Sequence, residues 1–155
     1  MKVKRVFLLS LFVVLAANAW TLDLRAIAYR AFMYLGSPMP EKANVEGNIG
    51  RFNDNQNGDY LECWAFQLNE NQRVKLAQYE IHDIDRKKLN SILSDFVSQV
   101  YINGYKFFLA DADYTAYITN DGPFSMVIMI GNSIITSKSG NPCIKIVFIR
   151  LADFN

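Results

Sequence analysis

Few side chains in this chain are suited to acid–base or nucleophilic chemistry. His82 is the single histidine, and Asp83 and Asp85 follow it closely. A Ser-His-Asp hydrolase would have to use His82, yet the sequence contains no Gly-x-Ser-x-Gly turn, and both aspartates precede a helical pattern that a carboxylate can cap. One histidine also excludes a zinc site built from several imidazoles of one chain. We therefore expect His82 to be exposed at a strand-to-helix junction and keep it as a minor polar site.

Asp111 and Asp113 form the other carboxylate pair. On an extended segment, side chains two residues apart point the same way, so such a pair can bind a divalent cation or divide acid and base roles. Aspartate is also common where strands end, because its side chain hydrogen-bonds the nearby backbone. We prefer a turn here, and we predict no catalytic residue, no metal ligand and no cofactor. A small hydrolase that uses Asp111 with Asp113, or His82, stays open as an alternative.

The two cysteines, Cys63 and Cys143, each lie in or next to an apolar stretch typical of a β-strand. In an exported chain they are expected to form one disulfide. That bond would close a loop of about 80 residues and stabilise the fold by roughly 4 kcal/mol. The alternative is a pair of buried free thiols that pack as small apolar side chains.

The first nineteen residues predict the compartment. A basic start is followed by an apolar run over residues 6–17 and by small residues where a signal peptidase would cut. The run is shorter than the roughly 20 residues that cross a bilayer. The sequence therefore predicts a signal peptide over 1–19 and a single periplasmic or secreted domain over 20–155, with no stable membrane span after cleavage. An uncleaved N-terminal anchor is the alternative.

The charge balance narrows the class of partner. The whole chain has 16 basic and 15 acidic residues, for a net charge of +1. The predicted leader holds three of the basic residues and no acidic one, so its removal leaves 13 against 15, or −2. Nucleic acid requires a clustered Lys and Arg face to neutralise phosphates. We predict no nucleic-acid partner.

Two helices are predicted from apolar residues at helical spacing. The first covers residues 22–35, with Thr21 as its N-cap. The second runs from about 86 to 100, and Asp83 or Asp85 caps its start, where a carboxylate accepts free amide protons and suits the positive end of the helix dipole. Both helices present an apolar stripe wide enough to cover a sheet.

Short apolar stretches between turn residues predict the strands. Residues 37–59 contain few apolar side chains and are predicted as a long polar loop, or as an irregular edge strand pinned by residues such as Phe52. Residues 74–81 also fit a helical turn or two. The sequence shows no internal repeat and predicts an α+β fold, an antiparallel sheet of about five to seven strands with two helices packed on it. The predicted strands are 60–68, 74–81, 105–110, 114–119, 124–130, 133–138 and 144–151.

Aromatic residues make up 14% of the chain, enough to form a core or a recognition face. Exposed tyrosine and tryptophan are common anchors of protein interfaces. We name as possible interaction residues Phe52, Tyr60, Trp64, Tyr114 and Tyr117, with a purely structural core as the alternative.

Small size, predicted export, a long polar loop and the lack of an active-site motif favour a binding role. The sequence thus predicts a non-catalytic protein-binding domain whose partner is another protein of the cell envelope. An inhibitor, an immunity-type protein and an envelope accessory protein all belong to this class. A carrier with an aromatic-lined pocket for a small ligand is the first alternative, and the hydrolase is the second.

Overall fold

The computed structural model describes residues 22–57, 60–83, 85–119, 125–137 and 140–154, and of residues 55–57 and 60 it describes the backbone. The predicted signal peptide over residues 1–19 lies outside these ranges and stays a prediction.

The described part of the chain contains two α-helices, a short 3₁₀-helix (Leu151–Asp153) and nine strands. The helices are α1 (Leu24–Tyr34) and α2 (Arg86–Ile102). Every strand pair is antiparallel, which confirms the predicted α+β class. The strands are β1 (Asn44–Glu46), β2 (Ile49–Asn57), β3 (Tyr60–Leu68), β4 (Val74–Asp83), β5 (Lys106–Ala110), β6 (Tyr114–Thr119), β7 (Met126–Gly131), β8 (Ile135–Thr136) and β9 (Pro142–Arg150).

The predicted count of five to seven strands is too low, because residues 37–59 contribute β1 and β2. β2 is rich in Asn and Asp, which are poor strand formers. It nevertheless pairs with β3 along most of its length, and Phe52 turns into the core. Its register shifts between Asn53 and Asn55, and the intervening Asp54 binds helix α1, with its Oδ2 atom 2.5 Å from Nη1 of Arg30. Pairing and tertiary contacts here outweigh local propensity.

The strands form one sheet in the order β1-β2-β3-β4-β9-β7-β6-β5, and β8 lies beside β9. Each half of the chain is therefore a helix followed by an antiparallel meander, α1 with β1 to β4 and α2 with β5, β6, β7 and β9. The last strand of each half lies at the centre, where β4 pairs with β9. The two halves are thus related by an approximate two-fold arrangement that the sequence does not reveal as a repeat.

Both helices pack against the central strands β4 and β9 and bury the core between helices and sheet. The N-cap of α1 is Asp23 and not the predicted Thr21, because the helix begins at Leu24 and the Oδ1 atom of Asp23 accepts a hydrogen bond from the backbone N–H of Arg25 at 2.9 Å. Thr21 itself lies outside the described residues. Asp85 caps α2 in the same way, as predicted. Among the described residues, no helix combines the length and apolar character needed to cross a membrane.

The predicted disulfide between Cys63 and Cys143 is wrong, because both cysteines are free. Cys63 lies on β3 and Cys143 on β9, and β4 runs between these two strands. Two strand spacings alone separate the Cα atoms by at least about 10 Å, whereas a disulfide requires less than about 7 Å. The composition of the two stretches indicated strands correctly but carried no information about which strand would separate them.

Candidate functional site

Titratable side chains cluster on the sheet face opposite the helices, here called the outer face. Trp64 of β3 points into the core, and side chains alternate along a strand, so Cys63 points to the outer face. Cys63 lies opposite Glu80 of β4, and His82, two residues further along β4, lies opposite Cys143 of β9. The antiparallel sheet thereby brings together two thiols, a carboxylate and the only imidazole of the chain.

Glu80 is the charged centre of this cluster and is only 3% exposed. Nε2 of His82 lies 2.8 Å from its Oε2 atom, Gln78 donates to Oε1, and Nη1 of Arg51 lies 3.6 Å from Oε1. Burial alone would raise the pKa of Glu80, but the hydrogen bonds from His82 and Gln78 and the charges of Lys145 and Arg51 hold this pKa below its ordinary value. Glu80 is therefore an anion at neutral pH.

His82 is mostly buried, with a side chain that is 13% exposed, contrary to the exposed position expected from sequence. Hydrogen bonds to Cys63 and to Glu80 raise its pKa to about 9, against the opposing effect of burial. At neutral pH the ring is thus an imidazolium that can donate protons. It cannot act as a general base without first losing one.

The two cysteines differ in surroundings. Cys63 is partly exposed, and its Sγ atom donates to Oδ1 of Asn53 at 3.3 Å. Cys143 is fully buried, and burial, together with the charge of Glu80, raises the pKa of its thiol. Cys143 therefore stays a neutral thiol at neutral pH, whereas Cys63 is accessible from solvent.

Tyr114, one of the predicted interaction residues, borders the same cluster. Across the sheet it pairs with Gly131, which has no side chain that could cover Tyr114. Burial raises the pKa of the Tyr114 phenol, and so do the negative charges of Asp113 and Glu80. Tyr114 therefore closes the cluster on the side of the second half of the sheet.

Sequence reasoning singled out His82 but missed Glu80 and did not connect either with Cys63. Because residues 74–81 are predicted as a strand, the alternating polar residues at 78, 80 and 82 indicate that these side chains share one face. Placing Cys63 beside them requires the register of the β3–β4 hairpin, which the polar connector at residues 69–72 does not specify. The missing information was the pairing between strands.

The carboxylates of Asp111 and Asp113 lie in the turn between β5 and β6. Oδ1 of Asp111 accepts hydrogen bonds from the backbone N–H groups of Tyr114 and Asp113, both at 2.8 Å, and these bonds hold the pKa of Asp111 below its ordinary value. Asn132 closes the turn by donating to the backbone carbonyl of Asp111 at 3.0 Å. The pair therefore lies in a turn between strands, and the side chain of Asp111 binds the local backbone.

Most of the predicted interaction aromatics belong to the core. Phe52, Trp64 and Tyr117 are buried, and Trp64 contacts Tyr34 of α1 edge-on at 5.4 Å. These three rings fill the space between α1, α2 and the sheet and offer no surface to a partner. For Tyr60 only the backbone is described.

A different set of apolar side chains is exposed at the β5 end of the sheet, on both of its faces. All five residues of β5 are exposed, and three of them are large and apolar. The end of α2 adds two more exposed apolar side chains, one of which packs edge-on against Tyr117 at 5.8 Å. We call this set the β5 edge surface; its members are Tyr101, Ile102, Phe107, Phe108 and Leu109.

A groove of about 620 Å³ opens next to this surface, between α1, the end of α2 and strands β6 and β7. Its described lining includes the aromatic rings of Tyr29, Phe32 and Tyr105, with Arg25 and Asn103 supplying polar groups. Tyr105 immediately precedes β5, so the groove and the β5 edge surface are continuous.

Within the described ranges, no three His, Cys, Asp or Glu side chains are arranged to hold a metal ion. The candidate functional regions are the outer-face cluster and the β5 edge surface with its groove. No protein-family model matches this chain, and no characterised protein and no solved structure is significantly similar to it.

Proposed function

We propose that this protein is an exported, non-catalytic binding protein whose β5 strand receives an extended segment of another envelope protein. The observation that carries the proposal is the exposure of the whole strand, including Phe107 at 59%. Among the described strands, β5 pairs with β6 alone, so the backbone groups on its other side face outward. Proteins usually protect such edges, and an added strand satisfies these donors and acceptors.

The neighbouring side chains supply the apolar contacts that backbone pairing lacks. Ile102 is 81% exposed at the end of α2, and Tyr101 lies beside it. Large exposed apolar side chains that adjoin one another are typical of binding surfaces. A strand that pairs with β5 would place alternate side chains over these residues on the helix side, at the mouth of the groove.

The irregular pairing of β5 limits the length of the segment that can pair with it. The register between β5 and β6 shifts between Phe107 and Leu109, which leaves Phe108 as an extra residue. Phe108 packs edge-on against Phe154 at 5.6 Å. A bulge twists an edge and shortens the regular ladder, so the partner segment is expected to be short and to depend on apolar side chains.

The test compares two edge variants of the full mature chain. Phe107→Lys places a charge on the β5 edge surface, and the matched control Val45→Lys places the same charge on β1, where Val45 is 55% exposed. A partner is isolated with the wild-type protein from the cell envelope, purified and titrated by calorimetry. We expect binding at least tenfold weaker for Phe107→Lys and unchanged for Val45→Lys, because a lysine at the contact must be desolvated.

Hydrogen exchange locates the contact independently. Amide protons of residues 106–110 are expected to gain protection when the purified partner binds. Equal affinities of the two variants, or protection confined to other strands, would contradict the proposal. If the wild-type protein associates with itself through residues 106–110, without a second protein, the partner of β5 is another copy of this chain.

The groove supports a second candidate, a carrier of small apolar ligands. Its volume suits a ligand of modest size, and its aromatic lining provides stacking surfaces. Thr119 lines the groove, so Thr119→Trp is expected to fill it and abolish binding of the probe 1-anilinonaphthalene-8-sulfonate while leaving the protein partner bound. Unchanged probe binding in Thr119→Trp would argue against the carrier. The hydrolase alternative remains a prediction, and of its residues only His82 lies beside a nucleophilic side chain.

A further inference from the structure

Cys63 differs from an ordinary surface thiol in the charges that surround it. His82 hydrogen-bonds it from β4, Glu80 lies opposite it, and Arg51 reaches Glu80 from β2. Lys145 occupies the position next to Glu80 on β9. Three cationic side chains, His82, Arg51 and Lys145, therefore lie around Glu80, beside the sulfur of Cys63. The Glu80 carboxylate is already bound by His82, Gln78 and Arg51.

This excess of positive charge bears on the chemistry of a thiol. Disulfide exchange requires a sulfur that the reagent can reach, and Cys63 is partly exposed. The same cations attract an anionic reagent to the outer face. Cys143, in contrast, is fully buried and has no access to a reagent from solvent.

We propose that Cys63 is a site of thiol–disulfide exchange with anionic, low-molecular-weight disulfides. The sulfur of Cys63, after losing its proton to solvent, attacks one sulfur of the reagent; a new S–S bond forms to Cys63 and the S–S bond of the reagent breaks. The departing thiolate keeps the electron pair and takes up a proton, which the imidazolium of His82 can supply before recovering one from solvent. One protein thiol and one disulfide thus give one mixed disulfide and one free thiol.

The mixed disulfide is expected to persist. Release would require a second thiol of the protein to attack it, and Cys143 lies two strands away across β4. A separation of at least about 10 Å between the Cα atoms prevents the internal disulfide that would otherwise expel the small thiol. The product is therefore a stable modification of the outer face, independent of whether β5 binds a partner.

The first experiment uses the full mature protein and oxidised glutathione at pH 7. Intact mass and peptide mapping are expected to show one glutathionyl group on Cys63. Cys143→Ser should react like the wild type, and Cys63→Ser should not react. Modification of Cys143 in the folded protein, or no modification of either cysteine, would overturn the proposal.

The second experiment measures rates with two probes, the dianion 5,5′-dithiobis(2-nitrobenzoate) and the neutral 2,2′-dithiodipyridine. His82→Gln is expected to slow the anionic probe several-fold more than the neutral one at pH 6 to 7, because a cation beside the sulfur is lost. Arg51→Gln should slow the anionic probe several-fold more than the neutral one. Arg51 is half-exposed, so this variant keeps the test decisive if His82→Gln fails to fold. Rates equal to wild type in both folded variants would show that the charges do not govern reactivity.

Discussion

His82 and Glu80 form a mostly buried pair whose contribution to stability depends on pH. The pKa of His82 is raised to about 9 from 6.5. A raised folded-state pKa contributes stability that is fully present below the unfolded value and is lost as pH rises through the folded one. We therefore predict that the free energy of unfolding falls by roughly 1 to 3 kcal/mol between pH 6.5 and 9.5, measured by urea denaturation.

The control for this prediction is His82→Gln, which keeps a hydrogen-bonding side chain without the titration. Its stability should vary little over the same pH range. Other titratable groups also face His82. Cys143→Ser removes one of them and leaves the His82–Glu80 pair in place. Parallel pH curves for the wild type and His82→Gln would contradict the assignment. The groups that face the pair are Arg51, Cys63, Tyr114, Cys143 and Lys145.

The sequence allowed His82 to be identified as unusual only because it is the single histidine. Its burial and charge depend on Glu80 two residues earlier and on Cys63 nineteen residues earlier. Alternation along one strand predicts the first contact, whereas the second depends on the register of a hairpin. Side-chain chemistry is therefore visible in the sequence, but the partners that set its pKa are fixed by strand pairing.

At the scale of elements, the end of α1 depends on Gly36. Its φ of +80° is the left-handed conformation that glycine adopts without strain, and an added Cβ would lie 2.9 Å from Nη1 of Arg150. The guanidinium cannot simply move away, because its Nη2 atom donates to the carbonyl of Leu35 at 2.5 Å. We predict that Gly36→Ala lowers the free energy of unfolding by about 2 kcal/mol, measured by urea denaturation.

Gly104 provides the matched control. Its φ of +79° is nearly the same, but an added Cβ would have no neighbour within 4 Å. Gly104→Ala should therefore lower the free energy of unfolding by only about 1 kcal/mol, the cost of the left-handed backbone conformation for alanine. Equal losses in both variants would mean that the contact with Arg150 contributes nothing.

Helices and strands with regularly spaced apolar residues were predictable from the sequence. Strands that depend on pairing with neighbouring strands were not. Helix α2 begins at Arg86 behind its cap Asp85, as the apolar spacing and the aspartate predict. β3 also has the predicted bounds. β2 lies in the segment that was predicted as a polar loop or as an irregular edge strand, because its Asn-rich sequence favours turns. Its strand conformation comes from β3 on one side and from Phe52 in the core.

At the scale of the whole molecule, the two halves share one core. Trp64 from the first half packs against Phe148 from the second at 6.3 Å, and Ile128 of β7 is fully buried in the same cluster. A joint core of this kind is expected to unfold in one cooperative transition.

Ile128→Ala tests this cooperativity. The cavity should cost 2 to 5 kcal/mol, as is typical of a buried isoleucine. In a chain with Trp20→Phe, the fluorescence comes from Trp64 on strand β3 of the first half. We predict that its urea transition shifts together with the far-ultraviolet circular dichroism. A fluorescence midpoint that stays in place while the dichroism shifts would show two independently unfolding halves.

The strand order gives the sheet two unlike outer strands, the three-residue β1 and the five-residue β5. If two copies joined β5 to β5, the assembly would be symmetric and would stop at two. If β5 of one copy joined β1 of the next, each addition would leave both edges free, and growth would have no end. The shortness of β1 gives little ladder for such head-to-tail growth. Substitutions that lengthen β1 are therefore the ones that would turn a bounded complex into a fibre.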